Sequence, residues 1–456
     1  MDTLEAWIER QHARSVQGML LSVSPLELVK QRPGFGQTVR VRRGAIVASP
    51  VLADWNPDPD YFFHWYRDSA LVIDALRLLH ESGAIGAPAL AHLADFIDFS
   101  LALQDLDGRT LAAAPEWRGR VAADFARFVR DDADLGGVHG AAVAAESRVN
   151  ADGTLDISRW SRPQHDGAPL RALAVLRWMP HVDPDADLMA AAARLVRADL
   201  DFTLDSWQRP SYDIWEEEPG LHYYTVRVAA AALQEGAGWA QERGDAALAH
   251  ACRDAAAAAH RRLDGYWSAE RGYFLSRRLA GGGRSAKELD IAVVLGAIHA
   301  PAIPGQGLDD PRLHATLSQL EAAFDADYAI NRARPAGRGP AMGRYRGDVY
   351  FSGGAYYFST LGAAEFCFGV ARVAAAASGS AAGSASGPAS AAAAASWRAR
   401  GDAYLATVRA YTPAGGELSE QFDRSTGAQT SARQLAWSHA AFISAVAARR
   451  AAGAAH

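Results

Sequence analysis

The sequence predicts an all-α fold, a closed double layer of helices built as a single domain. Apolar residues recur at the 3.6-residue helical period over long segments. Short and long loops alternate between these segments, which suits a closed double layer better than a bundle. Strand signals are few; the best is TVRVRRGAIVASP near Thr38–Pro50, which reads as a hairpin or an extended entry segment.

Taken in order, the periodicity predicts helices over Thr3–Val23, Trp65–Glu81, Ala87–Leu103, Pro169–Met179, Ala186–Trp207, Tyr223–Ala237, Ala246–Leu263, Pro311–Phe324, Gly354–Ala376, Ser396–Tyr411 and Ser431–Ala448. Two of them carry alanine blocks, RVAAAAL and DAAAAAH, with almost no polar face, so they are expected to pack on two sides. The Gly-, Ser- and Ala-rich segment 378–395 is a low-complexity stretch, expected as a disordered surface insertion between two helices. LAGGGRSAK, ending at Lys287, lacks the spacing of a phosphate loop and the apolar strand that should precede one.

With 456 residues, 49% of them hydrophobic, the chain can bury a large core. Its net charge of −6 offers no basic face for nucleic acid. Cys252 and Cys367 lack metal-type spacing and read as small buried residues. The fourteen histidines form no HExxH or closely paired set, so no metal is expected; His222 and His439 read as helix or pocket-wall residues. MDTLEAWIERQ has acids from its second residue and does not resemble a signal peptide, and no charge-free apolar run is long enough to span a bilayer. A cytoplasmic monomer is the expectation, secreted or periplasmic if a leader was removed.

The chemistry concentrates in loops that precede helices, where a rigid scaffold places a site. In YDIWEEEPGLHYYTV, Glu216, Glu217 and Glu218 follow Trp215 and stand just ahead of a predicted helix. Crowded carboxyls beside indole surface disfavour ionisation, which prepares a general acid. In GGELSEQFDRSTG, Glu420 supplies a second, distant carboxyl. PDYFFHWYRDSALV sets five aromatics between Tyr61 and Tyr66 ahead of Arg67-Asp68, either a helix-entry staple or a cradle that stacks on pyranose rings and grips their hydroxyls. RWSRPQHDGAPLRA places Trp160, Arg162, His165 and Asp166 before a helix, with Asp166-Gly167 alone reading as a turn, and GRYRGDVYFSGGAYYF does the same with Arg344 and Asp348. Paired carboxyls among Trp and Tyr point to sugar chemistry.

These motifs, in this order and with the leading DTLEAWI and GAIVASP, resemble the glucoamylases of glycoside hydrolase family 15 over essentially the whole chain. The resemblance implies an (α/α)6 barrel and an exo-acting, inverting α-glucosidase that uses no cofactor. It implies Glu216 as catalytic acid and Glu420 as the base that activates water. It assigns Arg67 and Asp68 to the hydroxyls of the terminal glucose and Arg344 to further sugar contact. Tyr61 would lie near the developing oxocarbenium. Trp65, Trp160 and Trp437 would line the pocket, Ile214 and Trp215 would contact substrate beside the acid, Glu217 would meet the next sugar, and Gln421 would help place water or substrate. Inversion needs the two carboxyls about 6.5–9.5 Å apart. Glu218 has no family role and is expected to be solvated or to cap the following helix.

The chain departs from the family at His64 and Tyr66, where threonines are common, and at Gly354-Ala355-Tyr356, where an Asn-Pro-Trp element is common. Gln434 stands for an aspartate and His439 for a tyrosine. The departures leave linkage preference open among maltodextrins, glycogen ends, isomaltose and trehalose, and a non-catalytic carbohydrate-sensing protein stands as the alternative from another class. No starch-binding module is expected.

Overall fold

The computed structural model describes residues 3–183, 186–380 and 387–454. Its helices are α1 (Leu4–Leu20), α2 (Tyr66–Glu81), α3 (Pro88–Leu103), α4 (Gly108–Ala113), α5 (Asp132–Gly136), α6 (Gly167–Trp178), α7 (Asp187–Ser206), α8 (Tyr223–Glu242), α9 (Ala246–Asp264), α10 (Ala292–His299), α11 (Pro311–Asp327), α12 (Ala329–Arg332), α13 (Tyr357–Ser380), α14 (Gly387–Tyr411) and α15 (Ala436–Gly453). Every helix expected from periodicity is present, most with ends shifted by a few residues. The additions α4, α5, α10 and α12 are too short to display a period.

The strands are β1 (Val29–Arg32), β2 (Gln37–Arg40), β3 (Phe63–Trp65), β4 (Arg148–Asn150), β5 (Ser211–Tyr212), β6 (Pro219–His222), β7 (Trp267–Ser268), β8 (Tyr273–Phe274), β9 (Arg277–Leu279), β10 (Ala355–Tyr356), β11 (Gln421–Phe422) and β12 (Gln429–Thr430). The hairpin expected near Thr38–Pro50 sits earlier: β1 pairs antiparallel with β2, and only Thr38–Arg40 of the expected stretch is strand.

The chain packs as two compact units, each assembled from separated segments. The first holds Met1–Met19, Leu221–Ala231 and Ala257–His456; the second holds Leu20–Gly220 and Ala232–Ala256. In the second, Val39, Val47, Phe62, Tyr66, Phe99 and Val149 form a core that fixes the start of α2. In the first, α13 lies against α10, α14 and α15. Its stretch Tyr357–Ala377 is apolar and long enough to cross a membrane by length and composition, although Glu365 and Arg372 interrupt it, in keeping with the expectation of no charge-free run of that length. Here most of its surface is covered by its neighbours.

The alanine blocks part company. Ala229–Ala232 of α8 are buried throughout, as expected of a helix packed on two sides. In α9 the buried residues are Leu248, Ala249, Cys252, Ala256, Ala259 and Leu263, one face at helical spacing, while Ala257 is exposed. Both cysteines are free and buried. The low-complexity segment is largely helix rather than an irregular insertion: α13 enters it through Ser380 and α14 starts at Gly387, as alanine's propensity favours, while residues 381–386 lie outside the described residues.

Two glycines test this packing in opposite directions. A Cβ on Gly18 of α1 would stand 2.6 Å from the buried imidazole of His439 on α15. Gly238 of α8 is exposed with nothing near a prospective Cβ. Gly18→Val is expected to cost about 1–3 kcal/mol and Gly238→Ala to add about 0.5–1 kcal/mol, both read by urea unfolding.

Candidate active site

Glu216 sits at the tip of a hairpin. β5 and β6 pair antiparallel, Ser211 opposite Gly220 and Tyr212 opposite Pro219, and DIWEEE is the connection between them. The helix expected at Tyr223 starts there as α8, and β6 fills the interval between it and the acids, its Pro219 tolerated at the first strand position. Glu218 therefore lies in the turn and caps no helix.

Asp213 organises that turn. Its Oδ1 accepts the Trp215 backbone N–H at 2.7 Å and its Oδ2 that of Glu218 at 2.8 Å, while its carbonyl accepts from Glu216 N at 2.9 Å. Gln164 Nε2 donates to the same carbonyl at 3.0 Å. Glu216 itself is in the left-handed region at φ 66°, a conformation costing a non-glycine residue on the order of 1–3 kcal/mol, so it persists only where neighbours fix it. Ser161 Oγ completes the fixation by donating to the Glu216 carbonyl.

The carboxylate is held equally firmly. Trp65 Nε1 donates to Oε1 at 2.8 Å, and Trp160 Nε1 donates to Oε2. Arg67 Nη2 stands 3.5 Å from Oε1. Trp65 ends β3, which pairs with β4, and Arg67 and Asp68 follow in the first turn of α2, both buried. Arg67 Nη1 donates to Asp166 Oδ2 at 3.1 Å and to Gln164 Oε1 at 3.3 Å. Asp166, read from sequence as a turn residue, is thus an ionic partner of Arg67. Burial pushes the Asp68 carboxyl up to about 6, with Glu216 and Asp166 adding to the rise and Arg67 opposing it.

Aromatic faces continue the wall. Tyr61 and Trp65 have ring centroids 5.1 Å apart, and Trp65 and Trp160 6.3 Å apart. Beneath them lies Arg148 of β4, fully buried, its guanidinium carbon 3.6 Å from the Trp160 ring centroid, 4.0 Å from that of Phe63 and 4.7 Å from that of Trp65. Arg148 Nε donates to Asp156 at 2.9 Å, Asp156 also takes Arg162 at 3.0 Å, Arg162 reaches Glu146 at 2.6 Å, and Glu146 takes Arg130 at 2.8 Å. Burial works to raise the Asp156 carboxyl, yet Arg148 and Arg162 hold it far below the ordinary carboxylate range. Ile214 and Trp215 are buried beside the acid, and Glu217 is partly exposed.

The other unit carries Glu420, whose backbone N–H donates to the Ala432 carbonyl at 2.7 Å and whose Oε2 accepts from Ser431 Oγ. It immediately precedes β11, where Gln421 faces Tyr356 of β10. Gln421 is fully buried, donating from Nε2 to Tyr356 Oη at 2.8 Å and accepting from Ser352 Oγ at 3.1 Å. Arg344 is clamped by Asp348 through two hydrogen bonds of 2.7 and 2.6 Å, and Tyr356 Oη donates to the same carboxylate at 3.1 Å. Trp437, in the first turn of α15, stacks face to face on Phe358 at 4.1 Å. Gln421, Tyr356, Asp348 and Arg344 therefore form one hydrogen-bonded group, and Ser431 orients the adjacent carboxylate.

A carboxyl held between two indole N–H groups, beside a buried Arg–Asp pair and a row of aromatic faces, is an arrangement able to hold a sugar and deliver a proton to it. Residues 144–447 match the glycosyl hydrolases family 15. The chain is 30% identical to glucoamylase P of Amorphotheca resinae over 96% of this chain and 69% of that protein. It superposes on the solved glucoamylase of Hormoconis resinae with a TM-score of 0.76 at 26% identity, covering 98% of this chain and 74% of that one. The glucoamylase of Saccharomycopsis fibuligera gives 0.78 at 22% identity over 100% and 97% of the two chains, a likeness of fold. The chain belongs to glycoside hydrolase family 15, with that family's all-α, (α/α)6 fold class, and is a glucan hydrolase.

Two outcomes follow from the buried charges. Arg148→Met and Asp156→Asn each leave a charge partly unpaired and should cost about 3–5 kcal/mol. The double variant should fall short of their sum by about 1–3 kcal/mol in urea titrations. Asp68, whose folded carboxyl titrates near 6, stabilises the fold most below the ordinary carboxylate pKa and loses that contribution as pH rises through 6. Asp68→Asn is therefore expected to gain stability over the parent by on the order of 3 kcal/mol at pH 8 and little at pH 4.

Proposed function

We propose that the protein is an exo-acting, inverting α-glucosidase that removes terminal α-1,4-linked glucose from maltodextrins or glycogen ends and releases β-D-glucose. The observation carrying this reading is the double indole clamp on Glu216 beside buried Arg67 and Asp68. Such a cluster grips the hydroxyls of one terminal sugar and presents a single acid to its glycosidic oxygen. The glucoamylase relatives support the substrate class. Because they align over nearly all of this chain, the reading treats both units as one catalytic domain.

In this mechanism Glu216 protonates the departing glycosidic oxygen and Glu420 takes a proton from the attacking water, so configuration inverts. Arg67 and Asp68 fix the terminal glucose, Tyr61 and Trp65 cover the ring that develops oxocarbenium character, and Trp160 keeps the acid aimed at the leaving oxygen. Arg344 and Gln421 bind substrate hydroxyls, Trp437 walls the site, Ile214 and Trp215 shape the turn carrying the acid, and Glu217 meets the next sugar. Ser431, donating to Glu420, leaves the base oriented for water.

Product analysis on maltotriose, glycogen, isomaltose and trehalose tests the reading, with the anomer followed by NMR. The expected result is turnover of maltotriose with β-glucose appearing first; α-glucose first would overturn inversion. Glu216→Gln and Glu420→Gln should each lower kcat by a factor of about 100 or more with folding intact. Near-normal activity of either would remove its assigned role.

A further inference from the structure

A tryptophan outside the expected site residues extends the aromatic row. Trp55 has its ring centroid 6.0 Å from that of Trp160, at an interplanar angle of 43°. It is 45% exposed, an unusual position for the largest apolar side chain, whereas Tyr61 and Trp160 are partly buried and Trp65 is buried. Its backbone is in the left-handed region at φ 71°, which a bulky residue adopts only under constraint.

The constraint comes from β1. Lys30 and Arg32 alternate with exposed Gln31 and so share the strand's buried face. Lys30 Nζ donates to the Ala53 carbonyl at 2.5 Å and to Asp54 Oδ1 at 2.6 Å, immediately before Trp55. Arg32 Nε donates to Asp60 Oδ2 at 2.7 Å, and its Nη2 to the Phe62 carbonyl at 2.8 Å, beyond the loop's other end. Two buried cations thus hold both ends of a loop whose tip offers an indole face to solvent.

The order of groups gives that face a direction. Tyr61, Arg67 and Asp68 lie with Trp65, which holds one oxygen of Glu216; Trp160 holds the other oxygen, and Trp55 lies beyond Trp160. We infer that Trp55 is a stacking platform for a neutral α-linked glucose residue on the leaving-group side, one sugar beyond the pair that flanks the cleaved bond. This deepens the proposed function and rests on its assignment of Arg67 and Asp68 to the terminal glucose. Trp55 touches no reacting atom; its effect is on which chain lengths the site prefers.

The test compares Trp55→Ala and Trp55→Phe with the parent on maltose and maltotriose. Trp55→Ala should lower kcat/KM for maltotriose by about tenfold, mostly through KM, and change maltose less than about twofold, while Trp55→Phe restores most of the loss. An equal loss on both sugars, or none on either, would overturn the platform. Calorimetric titration of Glu420→Gln, with and without Trp55→Ala, separates this from the hydrolase reading. Weaker binding of maltotriose but not maltose sustains the platform even if the parent turns over neither sugar, and equal binding rejects it.

Discussion

The guanidinium of Arg148 lies out of reach of water against the faces of Phe63, Trp65 and Trp160, and the two indoles it supports are those that hold the Glu216 carboxylate. A cation against an aromatic face contributes about 0.5–2 kcal/mol, more where it is desolvated. Its larger effect here is geometric, because the rings cannot tilt without losing contact with it. Burying that charge requires Asp156, Asp156 requires Arg162, and the chain of partners ends at Arg130, which Asp134 meets at 2.8 Å. Three guanidiniums and three carboxylates thus compensate one another beneath the acid.

Above this base the turn of Glu216 follows its own logic. Asp213 supplies both carboxylate oxygens to backbone N–H groups, and so keeps Glu216 in a backbone conformation it would otherwise leave. Strain at Glu216 and hydrogen bonding at Asp213 are two parts of one device. The group around Gln421 solves the corresponding problem differently: Tyr356 bonds both Gln421 and Asp348, so Arg344 and Gln421 are positioned through a shared phenol rather than through strain.

How much of this was legible in the sequence depends on the range of the interaction. Helices such as α7 and α11 announce themselves because their buried residues repeat at a local period. Strands such as β5 and β11 have two residues each, too few to show alternation, and form because Pro219 and Tyr356 find partners across a turn or far along the chain. Glu216 and Arg67-Asp68 stood out by composition, whereas the roles implied for Trp437 and Arg344 came only from family resemblance. Arg148 and Asp156 were invisible: SRVNADGTLD reads as an ordinary turn, and nothing local shows that its ions will be buried against aromatics from another segment. Asp213 was hidden by the more conspicuous acids beside it, although an aspartate shortly before a tight turn is a signal that could have been used.

One packing arrangement has a kinetic side. α1 lies on α15: Trp7 meets Phe442 edge to face at 5.5 Å, Glu9 pairs with Arg450 at 2.9 Å, and Glu5 with Arg449 at 2.8 Å. Chains grow from the amino end, and segments able to fold do so as they emerge. α1 therefore leaves the ribosome long before its docking surface has been made, with Ile8 and Met19 as yet without the neighbours that bury them. Closing so long a loop adds little entropy cost, since the cost grows only logarithmically with length. The wait is set instead by elongation, so α1 docks only once α15, more than 400 residues later in the chain, has been made.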